Sequence, residues 1–80
     1  MHVDEKTWKL IRRISKNIRR LRTERGLTQE DMEQFGFGVR WYQRFESGKH
    51  VLSIPTLDRL ARAFKVDIVE LFEDPSQRDK

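Results

Sequence analysis

Trp8, Ile11, Ile14, Ile18 and Leu21 recur at steps of three, three, four and three through an otherwise heavily charged stretch. This spacing holds them on one stripe of an α-helix, whereas a strand would scatter them over both faces. The chain therefore starts with a long helix, helix 1, over residues 5–25. Asp4 supplies its N-cap, Val3 and Trp8 stand where a hydrophobic staple would close across that cap, and Gly26 after Arg25 permits a left-handed stop. The stripe needs a partner surface. With 80 residues and no cysteine, the chain has room for one domain and no disulfide or thiolate zinc site to brace it. At this length only about 60 to 65 % of the unfolded surface is buried, so helix packing or association with another chain must supply stability. An oxidising compartment is not indicated.

Thr28 can cap a short helix 2 over residues 29–34, with Met32 leading its buried side and Phe35 at its end. Gly36 and Gly38 then break the chain. Positive φ costs glycine little and no alternating strands flank the pair, so they mark a tight turn rather than a hairpin. Helix 3, residues 39–47, points Tyr42 and Phe45 inward and stops at Gly48. Ser53 caps helix 4, residues 54–64, which tolerates Pro55 in its first turn and carries Ile54, Leu57, Leu60, Ala61 and Phe64 on its inner stripe. Asp67 and Glu70 form an Asp-x-x-Glu capping box for helix 5, residues 68–72, with Ile68, Leu71 and Phe72. Residues 75–80 read as a polar tail behind Pro75. The expectation is an all-α fold in one domain over residues 1–74, without repeat or linker.

The same helical wheels carry an electrostatic demand. Arg22 lies one turn beyond Ile18 on the apolar face of helix 1, and Glu46 lies one turn beyond Tyr42. A lone charge at either place is costly, so the two are expected to form a salt bridge joining helix 1 to helix 3. The alternative has Arg22 extending along its stem to solvent and Glu46 capping a loop.

The formal net charge is +4, and the excess is concentrated. Lys6, Lys9, Arg12, Arg13, Lys16, Arg19, Arg20, Arg22 and Arg25 face only Asp4, Glu5 and Glu24 in the first third. Such clustering suggests a polyanionic partner, the plain alternative being a solvated helix face. No run approaches the roughly 18 to 20 apolar residues of a membrane span, and charges interrupt any signal-peptide core; a soluble, cytoplasmic protein is expected. Asp4 and Glu5 count against a transit peptide. His2 and His50 are far apart and the carboxylates are scattered, which gives no constellation for catalysis or for a metal. Gly36-Phe37-Gly38 is too short and wrongly placed for a nucleotide-binding loop. The chain thus reads as no enzyme, with no cofactor, metal or small-molecule ligand.

With Tyr42 and Phe45 inward, Arg40 and Arg44 point outward one turn apart, with Gln43 beside them and Val39 at the N-terminal edge. That face has the chemistry of a DNA major-groove reader: Arg can donate two bonds to guanine, Gln can pair with adenine, and Val can touch the thymine methyl. A helix-turn-helix offers the beginning of its second helix to the bases in this manner. Gln29, with the amides at the start of helix 2, could hold one phosphate, and Ser47, Gly48 and Lys49 another.

The blocks "NIRRLRTERG", "LTQEDM", "RFESGK" and "TLDRLARAFKVDIVELF", in this order, resemble the helix-turn-helix domain of lambda-repressor, Cro and XRE-type transcriptional regulators. The resemblance covers about residues 14 to 72. It implies a five-helix, lambda-repressor-like bundle, here with an extended N-terminal helix, whose helix-turn-helix occupies about residues 28–47. It also implies a regulator, in most relatives a repressor, that binds a double-stranded operator as a homodimer with helix 3 in the major groove. Matched by position, the implied base contacts are Val39, Arg40, Gln43 and Arg44, and the implied phosphate contacts are Gln29, Ser47, Lys49 and Arg22. Trp41 on the flank could touch DNA or pack on the domain. The Arg22 to Glu46 bridge is implied as well. Two departures stand out: the segment from Gln29 to Gly36 is one residue short of the usual pattern, and Glu33 replaces a small alanine. Helix 2 then ends early, or the turn is rearranged, with Glu33 toward solvent.

A different class of partner is open to the same fold: a protein chain, as when an antitoxin engages its toxin, with Phe37, Trp41 and the long first helix as the adhesive surface. A membrane-bound helix 1 is disfavoured because the core needs its apolar stripe. For dimerisation, Trp8, Leu10 and Ile11 compete with helix 5 and Phe72 as the contact face, unless Trp8 and Ile11 cover their own core.

Overall fold

Helix 1 runs Glu5–Glu24, and the Asp4 carboxylate caps it by accepting from the Thr7 amide at 2.9 Å. Gly26 ends it with φ 69; its amide bonds the Thr23 carbonyl and the Leu27 amide bonds that of Arg22, the paired closure of a left-handed cap. The computed structural model describes residues 2–74 and Ser76, so the expected tail lies, except for Ser76, outside the described residues. Helix 2 (Glu30–Phe35) is a 3-10 helix, helix 3 (Val39–Ser47) and helix 4 (Ile54–Phe64) are α-helices, and helix 5 (Ile68–Phe72) is again 3-10. The described residues are all-helical, as expected of the bundle, but two of its elements are wound more tightly than α-helices.

The tighter winding of helix 2 has a geometric use. A 3-10 helix rises about 2.0 Å per residue against about 1.5 Å in an α-helix. Its six residues therefore span about 12 Å, as far as eight α-helical residues would. The Gln29 to Gly36 segment, short of the usual pattern, thus holds a 3-10 helix, and Glu33 faces solvent. Thr28 and Asp31 brace its start reciprocally: each side chain accepts the other's backbone amide, at 3.0 and 2.8 Å.

Helix 1 packs against helix 3 on one flank and helix 5 on the other, while helix 4 closes the bundle. Ile14, Ile18, Leu21, Met32, Tyr42, Phe45, Leu57, Leu60, Phe64 and Leu71 share the core. Phe37 joins them at 1 % exposure, whereas Phe35 is 36 % exposed, reversing the expectation that Phe35 ends the buried side of helix 2. The cause is Gly36, which turns the chain in the left-handed region at φ 90. Phe37 drops between Tyr42 and Phe45, with ring centroids 6.2 and 5.7 Å away, and the Arg59 guanidinium covers it at 4.6 Å. Gly38 keeps an ordinary φ of −63 and precedes helix 3 as its cap.

Ser53 caps helix 4 through the Thr56 amide, with Pro55 in the first turn. Ile54, expected on the inner stripe, is 65 % exposed; it begins the helix where the core gives it no cover, while Leu52 in the preceding loop packs against the core. Asp67 caps helix 5 by accepting from the Val69 amide, and only the amide of Glu70, bonded to the Asp67 carbonyl, takes part in the expected box.

Candidate nucleic-acid interface

Helix 3 is fixed from beneath by one carboxylate. Arg22 donates from Nε to Glu46 Oε2 at 2.6 Å and from Nη2 to Oε1 at 3.0 Å. Its third nitrogen, Nη1, bonds the Leu27 carbonyl at 2.7 Å. Tyr42 donates its hydroxyl to Glu46 Oε2, and Gln29 donates from Nε2 to Oε1 at 3.0 Å. The side chains of Arg22 and Glu46 are 10 % and 5 % exposed, so every partner counts: a buried ion pair offsets its desolvation only when its remaining polar atoms are satisfied. Burial pushes the Glu46 carboxyl up, but hydrogen bonds from Arg22, Tyr42 and Gln29 outweigh it and hold the group below its ordinary value. The Glu46 hydrogen bond raises the Arg22 guanidinium above its ordinary value. Burial, followed by the bond to Glu46, pushes the Tyr42 phenol up.

Arg22, expected among the phosphate contacts, is turned inward with all three guanidinium nitrogens hydrogen-bonded within the domain. Gln29 is half-buried beside helix 3, bonding Glu46 and accepting from Gln43 Nε2 at 3.2 Å. A chain of contacts thus runs from Arg22 through Glu46 and Gln29 to Gln43 on the outer side.

That outer side carries Arg40, Gln43 and Arg44, all exposed, with Val39 half-buried at the first residue of the helix. Among the described residues, neither Arg40 nor Arg44 has an ion-pair partner. The Ser47 hydroxyl bonds the Arg44 carbonyl at 2.8 Å and accepts from the Lys49 amide at 3.2 Å, which shapes the turn at Gly48 and leaves the Lys49 side chain exposed. Trp41 is 48 % exposed and rests edge-on against Phe45, 5.4 Å between centroids, so one side packs on the domain and the other stays open. Arg19, Thr28, Gln29, Gln43 and Ser47 line an open concavity of about 510 Å³ over Glu46.

Several contributors were not visible in sequence. Asn17, fully buried, donates from its amide to the carbonyls of Leu71 and Glu73, both at 2.8 Å, and so ties helix 5 to helix 1. Arg25 bonds the Phe64 carbonyl at 2.9 Å and lies over the Phe64 ring. Tyr42 points inward as expected, and its hydroxyl also serves Glu46. The adhesive protein-binding surface loses Phe37 to the core. Of the residues at the N-terminal contact face, Ile11 is buried in its own chain, Trp8 is half-buried and Leu10 stays exposed. Among the described residues no helix is long and apolar enough to cross a membrane, and no three or more His, Cys, Asp or Glu side chains are grouped as metal ligands would be.

Residues 14–73 match the family model of a helix-turn-helix domain. A protein of Sinorhizobium fredii (strain NBRC 101917 / NGR234) named uncharacterized HTH-type transcriptional regulator y4dJ is 41 % identical over 59 residues, covering 72 % of this chain and 77 % of its own. The cryptic phage CTXphi transcriptional repressor RstR of Vibrio cholerae is 38 % identical over 62 residues, 76 % of this chain but 56 % of its own. The chain thus spans little more than half of that repressor. No solved structure gives a significant match.

Proposed function

The chain belongs to the helix-turn-helix domain family that its residues 14–73 match, and on that premise we propose that it regulates transcription by binding double-stranded DNA sequence-specifically, with helix 3 in the major groove. The observation that carries this reading is the exposed face of helix 3, where Arg40, Gln43 and Arg44 stand outward on a helix locked from beneath by Glu46. Arg40 and Arg44 supply paired donors for guanine, Gln43 suits adenine, and Val39 suits a thymine methyl. Gln29, Ser47 and Lys49 are the candidate phosphate ligands that set register, and the open side of Trp41 is the candidate flank contact.

Repression is the regulatory sense proposed, supported by the name of the RstR relative. A homodimer on a two-fold operator is proposed with it, which would set half-sites about 34 Å apart, one turn of DNA. Ile11 is committed to its own chain. Exposed Val69 and half-buried Ile68 and Phe72 make helix 5 the better-supplied contact face.

The test is to recover bound duplexes from a random pool and titrate the purified chain against them at rising salt. A palindromic consensus is expected, with log affinity falling linearly in log salt by about 0.9 per neutralised phosphate. Absence of any affinity for duplex DNA at low salt would overturn the proposal.

A further inference from the structure

The charged residues of helix 1 border two flanks. Arg13 lies toward Asp74, 3.9 Å away, on the side where Asn17 holds the carbonyls of Leu71 and Glu73. Arg12 and Lys16 line concavities on both sides and, with Arg19 at steps of four and three, form the edge of the other flank, the one turned to helix 3. Gly48 lies against it: a Cβ there would meet Arg12 Cγ at 3.2 Å. Between the two helices runs a concavity of about 240 Å³ whose walls include Arg12, Lys16, Arg19, Ser47 and Gly48. Arg19 and Ser47 also line the larger concavity that holds Gln29 and Gln43. The edge of the candidate reading face therefore continues without a break onto helix 1.

Two observations give that continuation a binding character. Among the described residues, Lys16 and Arg19 have no ion-pair partner, and Arg12 has only the exposed Glu5 at 3.0 Å. Like charges one turn apart cost the helix a few tenths of a kcal/mol each. In addition, Ser15, which lines the smaller concavity, is 3 % exposed, and its hydroxyl has no hydrogen-bond partner among the described residues, so the helix 1 wall of the concavity carries an unmet polar group.

We infer that Arg12, Lys16 and Arg19 form a second backbone-binding element, which carries the DNA strand bordering the reading face past the helix-turn-helix and along helix 1. The inference rests on the proposed DNA binding and extends it: these residues meet phosphates alone, and add affinity without sequence preference.

The experiment compares two double variants of equal charge, titrated with the recovered duplex and with an unrelated one across a salt series. K16Q/R19Q removes two cations of the ridge. R62Q/K65Q removes two from helix 4 and its cap, where they line a concavity with Phe35 and Ala63 that shares no residue with the reading edge. All four positions are exposed, so both variants keep the fold. The ridge variant is expected to lower the log-log salt slope by about 1.8, two contacts at about 0.9 each. A four-fold rise in salt then costs it about 12-fold less affinity than it costs the wild type. Its preference for the recovered duplex stays unchanged, and the helix 4 variant keeps the wild-type slope. Equal slopes for the two variants would overturn the ridge and leave the proposed function standing. No binding by the wild type at any salt would remove the function itself, and the ridge with it.

Discussion

Helix 3 presents two polar edges that use similar groups to opposite ends. On the inner edge, Glu46 takes hydrogen bonds from Arg22, Tyr42 and Gln29, and its charge is neutralised within the domain. On the outer edge, Arg40 and Arg44 lie exposed, without an ion-pair partner among the described residues. A charge in the interior must be satisfied by the fold, because nothing else can reach it. A charge left unsatisfied on a rigid surface is available to a ligand. Substitutions on the inner edge should therefore register as stability, and those on the outer edge as binding.

The largest effect expected is that of Glu46→Ala. It strands a buried guanidinium and two further donors, which should cost about 3 to 5 kcal/mol of stability in denaturant unfolding; a loss well under 1 kcal/mol would mean that the pair behaves as a surface bridge. The same carboxylate predicts acid sensitivity. Glu46 titrates lower in the folded than in the unfolded chain, so its contribution is present above its ordinary value of about 4.5 and is lost as pH falls through the lowered folded value. Asp4 and Asp31, lowered by hydrogen bonds from Thr7 and Thr28, act in the same direction. Comparing wild type with Glu46→Gln between about pH 7 and about pH 3 isolates the Glu46 part: the variant should lose less stability across the window.

Next in size, Tyr42→Phe removes one hydrogen bond to a buried charge and should cost about 1.5 to 3 kcal/mol in unfolding while leaving the ring packing intact. An unchanged midpoint would show that the hydroxyl is dispensable to Glu46. Smaller in stability and opposite in kind is Lys49→Ala. Its unfolding should stay within about 0.5 kcal/mol of wild type, while affinity falls alike for every duplex and the salt slope drops by about 0.9. A change confined to one sequence would move Lys49 from backbone to base contact.

Which features could be read from sequence follows the range of the interactions behind them. The stripe from Trp8 to Leu21 repeats over several turns, and the caps at Asp4, Thr28 and Ser53 bond amides only three residues away, so local pattern was sufficient. That Arg40 and Arg44 face solvent follows from Tyr42 and Phe45 facing in. The exchange of Phe35 for Phe37 was hidden because it hangs on the φ angle of Gly36, which composition permits but does not dictate. Ile54 has the correct phase for the core but no neighbour above it; periodicity reports direction, not cover. Asn17 finds its acceptors 54 and 56 residues later in the chain, and nothing nearby announces them. The 3-10 winding of helix 2 had no signal in the sequence beyond the shortness of the Gln29 to Gly36 segment.

The most direct test of the central claim, that the outer edge of helix 3 reads bases, is a double-mutant cycle between Arg40→Ala and single base-pair changes in the recovered duplex, followed by binding anisotropy. The account predicts that one or two base changes cost the wild type about 1 to 3 kcal/mol each and cost Arg40→Ala almost nothing. If wild type and variant lose the same affinity at every base pair, Arg40 does not read sequence, and the account of helix 3 is contradicted.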